Sequence, residues 1–284
     1  MLSKFDYVKP KTLEEAVDFL GKHPKTKVLA GGTDLLVLLR RNLLNPDHIL
    51  DIKGVEGLDR LEYTKGEGLY IGARVSVNEI SESPMIQEKY RALFQAAGAL
   101  ASHQLRNRAT LVGNICNASP GADLSSPLLV YNAKVHMVGP KGKKTLKIEE
   151  FFTGVKKNAL EEGEIVTGIS LPDVKEGDSS YFMKQSRVKG HDLATVGISL
   201  RRTGNKETFL GMAAVAPTPI RLHELEKELQ NRELNEETAG WLKEEIKNHI
   251  KPISDVRSSM EYRNIASGAL AKKIIMTMMK EGVE

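Results

Sequence analysis

Two short segments about eighty residues apart hold the residue types best suited to chemistry. The first reads Val28-Leu29-Ala30-Gly31-Gly32-Thr33-Asp34-Leu35-Leu36, an apolar run that breaks at two glycines and resumes as a helix. The second, residues 110–127, reads TLVGNICNASPGADLSSP. Segments this rich in Gly, Asn, Ser and Pro bury little apolar area and order at a high cost in backbone entropy. They suit a phosphorylated ligand, because backbone N–H groups with no bulk beside them approach anionic oxygens closely. In the first segment the glycines remove Cβ atoms where phosphates would lie. The helix that follows aims its free N–H groups and its positive end at the same place, and Thr33 offers a hydroxyl. Asp34 reads as a capping carboxylate. In the second segment Asn114 can donate and accept, and Asp123 can accept two hydroxyls from a ribose or ribityl chain. Each feature has a plainer alternative: a tight strand-to-helix turn for the glycines, an Asx-turn for Asn114, a helix cap for Asp123. Two cradle-like loops in one domain, each preceding a helix, favour the binding reading. The first loop has neither the Gly-Lys-Ser/Thr of a Walker loop nor the spacing of the G-x-G-x-x-G turn.

These loops need elements to position them. Thr12, with Glu15 three residues on, caps a helix over 12–20 whose Leu13, Ala16, Val17 and Leu20 share a face. Residues 27–30 read as a short buried strand, 33–41 as a helix and 48–52 as a second strand, giving an opening β-α-β unit. A strand over 69–73 follows, then a short helix capped by Ser76 or Asn78, and an alanine-rich helix over 90–102. Residues 125–132 form another helix, 134–138 and 144–148 a hairpin across GPKGK, and 165–171 a strand closed by Pro172. The charged, aperiodic stretch 173–180 reads as a domain boundary. Beyond it lie strands at 181–188, 194–202 and 207–215, with a hairpin turn at Thr203-Gly204-Asn205, then helices at 224–230, 236–249 and 260–279. Strands followed by helices describe an antiparallel sheet backed by a small bundle, an α+β module.

Bulk composition excludes several classes. The chain has 284 residues, 40% hydrophobic and 27% charged, with 41 basic and 37 acidic residues and a net charge of +4. So slight a positive charge over this length does not argue for nucleic acid, and the Lys141–Lys144 run reads as a solvated hairpin turn. A single cysteine, Cys116, allows no internal disulfide and no cysteine-ligated zinc or iron–sulfur site by itself; it reads as a small filler beside the second loop. The opening MLSKFDYVKP lacks the apolar stretch of a signal peptide, and no apolar run approaches the ~20 residues of a membrane span. A reducing, cytoplasmic setting is expected. His103 and His191 read as structural, Trp241 as core or interface, and Arg187 and Asp192 as a pair. No catalytic triad, paired carboxylates or metal cluster competes with the two loops.

AGGTDLL, IGARVSV (71–77) and the 106–124 block RNRATLVGN-x5-PGADL together resemble the flavin-binding subunit of the molybdenum hydroxylases, the family of xanthine dehydrogenases and aerobic-type carbon monoxide dehydrogenases. The likeness continues through YFMKQSRVKGHDLATV (181–196) and SSMEYRNIASGAL (258–270). It implies an α+β fold: a vanillyl-alcohol-oxidase (PCMH)-type FAD domain over 1–176, with α/β subdomains 1–54 and 55–176, and a C-terminal module over 177–284. It implies FAD as cofactor. Lys27, Val28, Leu29, Ala30, Gly31, Gly32, Thr33, Asp34 and Leu35 would wrap the pyrophosphate. Gly72 and Ala73 would lie near the flavin. Ala109, Thr110, Gly113, Asn114, Asn117 and Asp123 would line the ring, ribityl and adenosine portions, and Lys184 would stand at the isoalloxazine edge. It further implies a molybdopterin-binding large subunit and a 2Fe–2S small subunit as partners, with electrons leaving FAD to NAD or another acceptor. Ala109 and Val112 replace two glycines of the family's usual Gly-Thr-x-Gly-Gly-Asn, and β-branched Val112 resists a positive φ. Two other readings stay open: a stand-alone flavin-dependent reductase of the same fold, and a binding module without cofactor.

Overall fold

The computed structural model describes residues 4–188 and 190–283. Residues 1–3 and 284, the outer ends of the two expected domains, and Lys189 of the 181–196 stretch lie outside the described residues.

The opening unit is a three-stranded parallel sheet. His48–Asp51 (HILD) sits at its centre, flanked by Asp6–Val8 and Thr26–Leu29. The Leu13–Lys22 helix is fixed by a full capping box, Thr12 accepting from the Glu15 N–H while the Glu15 carboxylate accepts from the Thr12 N–H. Ala16 and Leu20 are its buried residues. The glycine-bearing turn follows the edge strand Thr26–Leu29. That strand is half-exposed along its length, not buried as its apolar residues suggested, because one side has no neighbour. The next helix, Leu35–Arg40, starts two residues later than expected.

The second sheet is antiparallel, in the order Leu61–Thr64, Gly68–Gly72, Ile165–Leu171, Lys134–Gly139, Gly142–Lys147. Helices Val77–Ser81, Pro84–Lys89, Arg91–Ala99, Leu111–Cys116 and Ser125–Val130 occupy the long connection from its second strand to its fourth. Residues of both sheets and of these helices share one hydrophobic core.

The third sheet runs Ser179–Gln185, Val196–Arg202, Thr208–Ala213, Ile220–Arg221, all antiparallel. All seven residues of Val196–Arg202 are buried, so both faces of that strand are covered. The Met260–Lys280 helix packs on one face, and the Arg91–Ala99 and Ser125–Val130 helices contact the same strand. The bundle does not back the sheet alone: the sheet is a middle layer between the C-terminal helices and the first domain. Polar contacts cross that seam, with the Phe182 N–H donating to Gln95 Oε1 at 2.8 Å and the Ala214 N–H to the Pro120 carbonyl at 2.7 Å. The helix expected over 236–249 ends at Glu245 and continues as the short 3-10 turn Ile246–Asn248.

Candidate cofactor-binding cleft

The two loops meet. A Cβ built on Gly31 would lie 1.8 Å from the Arg108 carbonyl oxygen and 3.1 Å from Ala109 Cα. Gly31 is therefore required by the chain itself, since the backbone before the second segment occupies the space of a side chain. Gly32 is required differently, by a φ of +78° that only glycine adopts freely. Around them the backbone N–H groups of Gly31, Gly32, Thr33 and Asp34 find no acceptor among the described residues. Asp34 occupies the N-cap position of Leu35–Arg40 but makes no side-chain capping bond. The turn is thus a row of uncommitted donors, the arrangement that accepts anionic oxygens.

The second segment is ordered more than its composition suggested. Thr110 to Asn117 is a capped helix, Leu111–Cys116, with Thr110 Oγ1 accepting the Gly113 N–H at 2.9 Å. Leu111, Val112 and Ile115 bury its inner face. Val112 holds no positive φ, so its branch carries no backbone strain and the loop is not reshaped around it. Gly113 and Asn114 lie within this helix rather than in a loop, and Asn114 forms no Asx-turn. Its Oδ1 is buried without a hydrogen-bond partner.

Asp123 does not cap Ser125–Val130, whose N-cap residue is Leu124. Its Oδ2 accepts from Lys184 Nζ at 2.7 Å, with side-chain exposures of 6% for Asp123 and 8% for Lys184. Lys184 is no surface lysine: the seam between the third sheet and the first domain buries it, and its Nζ also reaches the Ala99 carbonyl at 3.3 Å. Burial pushes the Asp123 carboxyl up to about 6, against the opposing pull of Lys184. Asp123 Oδ1, like Asn114 Oδ1, is buried and unpartnered. Such acceptors cost about 1–3 kcal/mol each unless something donates to them. Ligand hydroxyls would satisfy both, and the free N–H groups of the glycine turn would take phosphate oxygens. The residues present fit a nucleotide-type cofactor with a polyhydroxyl chain.

The structure brings Gly31 to within contact of Ala109, next to Thr110, and pairs Asp123 with Lys184. Gly72 and Ala73 behave differently. Their N–H groups bond the Arg60 and Thr167 carbonyls, and Ala73 is 0% exposed. Gly72 closes the Gly68–Gly72 strand of the second sheet and Ala73 follows it, both buried. Arg187 and Asp192 do pair, through two side-chain bonds at 2.7 and 3.1 Å and the Arg187 N–H at 3.0 Å. His191 is exposed. Cys116 is half-buried, and burial pushes its thiol up to about 12, which disfavours the thiolate. The indole of Trp241 stacks under the Arg232 guanidinium at 4.1 Å beside the C-terminal core.

One positioning residue was not singled out for this role by its sequence. Asn78 is buried, and its amide donates to the His103 carbonyl at 3.0 Å and to Asn107 Oδ1 at 2.6 Å, while its Oδ1 accepts from Arg106 Nε at 2.9 Å. The Val77 N–H meanwhile holds the Ala109 carbonyl at 2.8 Å. The segment that abuts Gly31 is thereby pinned to the Val77–Ser81 helix. Asn78→Leu is expected to destabilise the chain by about 1–3 kcal/mol, because three part-buried hydrogen bonds to a buried side chain are lost. Calorimetric melting against the parent checks it; an unchanged midpoint would show that the network is dispensable.

Among the described residues no group of three or more His, Cys, Asp and Glu could hold a metal, and no helix is long and apolar enough to cross a membrane. Residues 3–174 match the family described as FAD binding domain in molybdopterin dehydrogenase, and residues 181–278 the CO dehydrogenase flavoprotein C-terminal domain. The chain is 34% identical over 274 residues to a xanthine dehydrogenase FAD-binding subunit of Escherichia coli O157:H7, covering 95% of this chain and 94% of that one. It is 30% identical over 277 residues to the carbon monoxide dehydrogenase medium chain of Hydrogenophaga pseudoflava, covering 96% of each. A solved structure of carbon monoxide dehydrogenase from the same organism superposes with a TM-score of 0.90 at 28% identity, covering 96% of both chains. Fold and sequence together define an α+β FAD-binding flavoprotein of the PCMH type. The chain belongs to the FAD-binding medium subunits of the molybdenum hydroxylase family, an oxidoreductase family.

Proposed function

We propose that this chain carries FAD as one subunit of a heteromeric molybdenum hydroxylase. Its partners would be a molybdopterin-binding large subunit and a 2Fe–2S small subunit, and its setting the cytoplasm. When bound, FAD supplies the exchange of electrons between iron–sulfur donors and NAD or another acceptor. The chain's own residues bind and orient it. The donors between Gly31 and Asp34 take the pyrophosphate, with the flanking residues from Lys27 to Leu35 as walls. Ala109, Thr110, Gly113, Asn114, Asn117 and Asp123 take the hydroxyl-bearing portions and part of the ring. Lys184, held by Asp123, offers a positive charge at the ring's edge and favours a reduced, negatively charged flavin. The observation that carries this reading is the locked approach of Gly31 to Arg108 and Ala109, with uncommitted donors on one side and two unpartnered buried oxygens in the segment that follows. Purified chain should be yellow and release roughly one FAD on denaturation. A colourless chain that fails to take up added FAD would refute the reading.

The stand-alone and cofactor-less alternatives have no observation in their favour. The best support for the latter was Val112, and Val112 sits in ordinary helical backbone.

A further inference from the structure

The central strand of the first sheet ends at Asp51, which lies opposite Leu29 and so stands level with the start of the glycine turn. Asp51 is 1% exposed. Its carboxylate accepts from the Tyr7 hydroxyl, from the Lys53 N–H at 2.9 Å and from Lys53 Nζ at 2.8 Å. The backbone bond caps the short 3-10 turn Ile52–Gly54, and the Lys53 side chain folds back over the strand end. Its Nζ also lies 3.5 Å from the Ala30 carbonyl oxygen. The ammonium is thus placed between a buried carboxylate and the peptide that opens the glycine turn.

That peptide is planar and trans, so the Ala30 carbonyl and the Gly31 N–H point in opposite directions. A cation that attracts the carbonyl on one side keeps the N–H aimed at the other, where Gly31 begins the row of uncommitted donors. At 3.5 Å the contact is long for a hydrogen bond and acts chiefly as a charge on a dipole. It also polarises the peptide, which strengthens the N–H as a donor. A second effect is charge balance. Burial works to raise the Asp51 carboxyl, but Lys53 and Tyr7 outweigh it and hold the group below the usual carboxylate range, so it is ionised. A bare carboxylate in a dry setting beside the turn would repel a pyrophosphate, and Lys53 cancels that charge on the side facing Ala30.

We propose that Lys53, anchored by Asp51, is a positioning residue for the cofactor's pyrophosphate: it fixes and polarises the Ala30–Gly31 peptide and screens the Asp51 carboxylate from the phosphates. The proposal rests on the reading above that the glycine turn takes the pyrophosphate of FAD. Lys53 lies outside the 27–35 segment, and the parallel pairing of the two strands brings it there.

The test uses the full chain and reads three quantities: FAD affinity by fluorescence titration, the phosphorus NMR resonances of bound FAD, and the melting midpoint without cofactor. Lys53→Met should weaken FAD binding about tenfold and move the pyrophosphate resonances, while the flavin absorption band of the loaded variant stays put. Lys53→Arg keeps the charge and should recover most of the loss. Adding Asp51→Asn to Lys53→Met should also recover part of it, because the uncompensated carboxylate is then gone. An ion pair that merely holds the sheet together predicts another pattern. The midpoint would fall, affinity and phosphorus resonances would stay, and the double variant would be no better than the single one. That pattern would overturn the proposal, as would a loss that Lys53→Arg does not reduce. Should Lys53→Met fold poorly, Lys53→Gln retains a donor without the charge and should still bind FAD about threefold or more weakly; parent-like affinity there would equally overturn it. A parent chain that takes up no FAD fails the cofactor reading and this proposal with it. A parent that binds FAD no better than its Lys53 variants fails only the role of Lys53.

Discussion

Gly31→Ala is expected to strip the chain of FAD while leaving most of its fold standing. The added methyl would sit 1.8 Å from the Arg108 carbonyl oxygen and 2.7 Å from its carbon. The obstacle is backbone, not a flexible side-chain end, so relief requires the two loops to separate. Overpacking of this kind costs about 1–3 kcal/mol and more where the backbone must move. Separation carries the uncommitted donors of the glycine turn away from Thr110 and Asn114, and a cofactor that touches both sides loses one of them. FAD affinity should fall by about 100-fold or more, equivalent to roughly 3 kcal/mol. FAD content after desalting reads the effect, with the melting midpoint as a guard against wholesale unfolding. Gly98→Ala is the matched control. A Cβ there meets nothing within 4 Å, and the residue lies in the Arg91–Ala99 helix. It should stabilise by up to about 1 kcal/mol, the helix-propensity difference. A Gly31→Ala chain with full flavin and an unchanged midpoint would show that the close approach of the loops does not shape the site.

The same glycine shows how far the sequence could be read. Its type and its place before a helix marked a binding turn, but the reason for it lies some eighty residues away and is visible only in three dimensions. Local signals carried well where partners are close in the chain. The Thr12–Glu15 capping box, the hairpin across GPKGK and the seven-residue apolar-rich strand Val196–Arg202 are all present. Asp6–Val8 and Leu61–Thr64 were missed because three or four residues are too few to display a period, and they exist through pairing with distant strands. The Leu111–Cys116 helix was hidden by its Gly and Asn, poor helix formers; one Thr110 cap and three buried apolar residues hold it. Three alanines near the second segment, Ala101, Ala118 and Ala214, adopt positive φ, and their own N–H or C=O groups are fixed by bonds to Arg106, Lys156 and Pro120. Alanine gives no warning of that conformation, because tertiary bonds impose it. The Asp123–Lys184 pair spans sixty-one residues. Each member was singled out, but neither the pairing nor the burial follows from spacing.

Breaking that pair should give the largest loss of stability in the chain and the clearest pH signature. Lys184→Met leaves a buried carboxylate without its counter-charge, a change that costs about 3–5 kcal/mol when a buried pair loses one partner. At neutral pH the variant should respond by keeping Asp123 protonated. In the parent, burial raises the Asp123 carboxyl from 3.8 to about 6 even with Lys184 beside it. The folded chain therefore holds this proton more tightly than the unfolded chain does. The resulting stability is full below about pH 4 and is lost as pH rises through about 6, a change on the order of 2–3 kcal/mol. Asp123→Asn should abolish that part of the pH dependence, which urea unfolding between pH 4 and 7.5 would measure. Cofactor binding should run in the opposite sense. Hydroxyl donors at Asp123 Oδ1 favour the carboxylate, so binding releases the proton and FAD affinity should rise through pH 6, by up to about tenfold per unit below it. Flavin fluorescence titrations at pH 5 and 7.5 test this directly. If the parent binds FAD equally well at both, or if Asp123→Asn shows the same rise, the carboxylate does not contact the cofactor and the cleft must be bounded elsewhere.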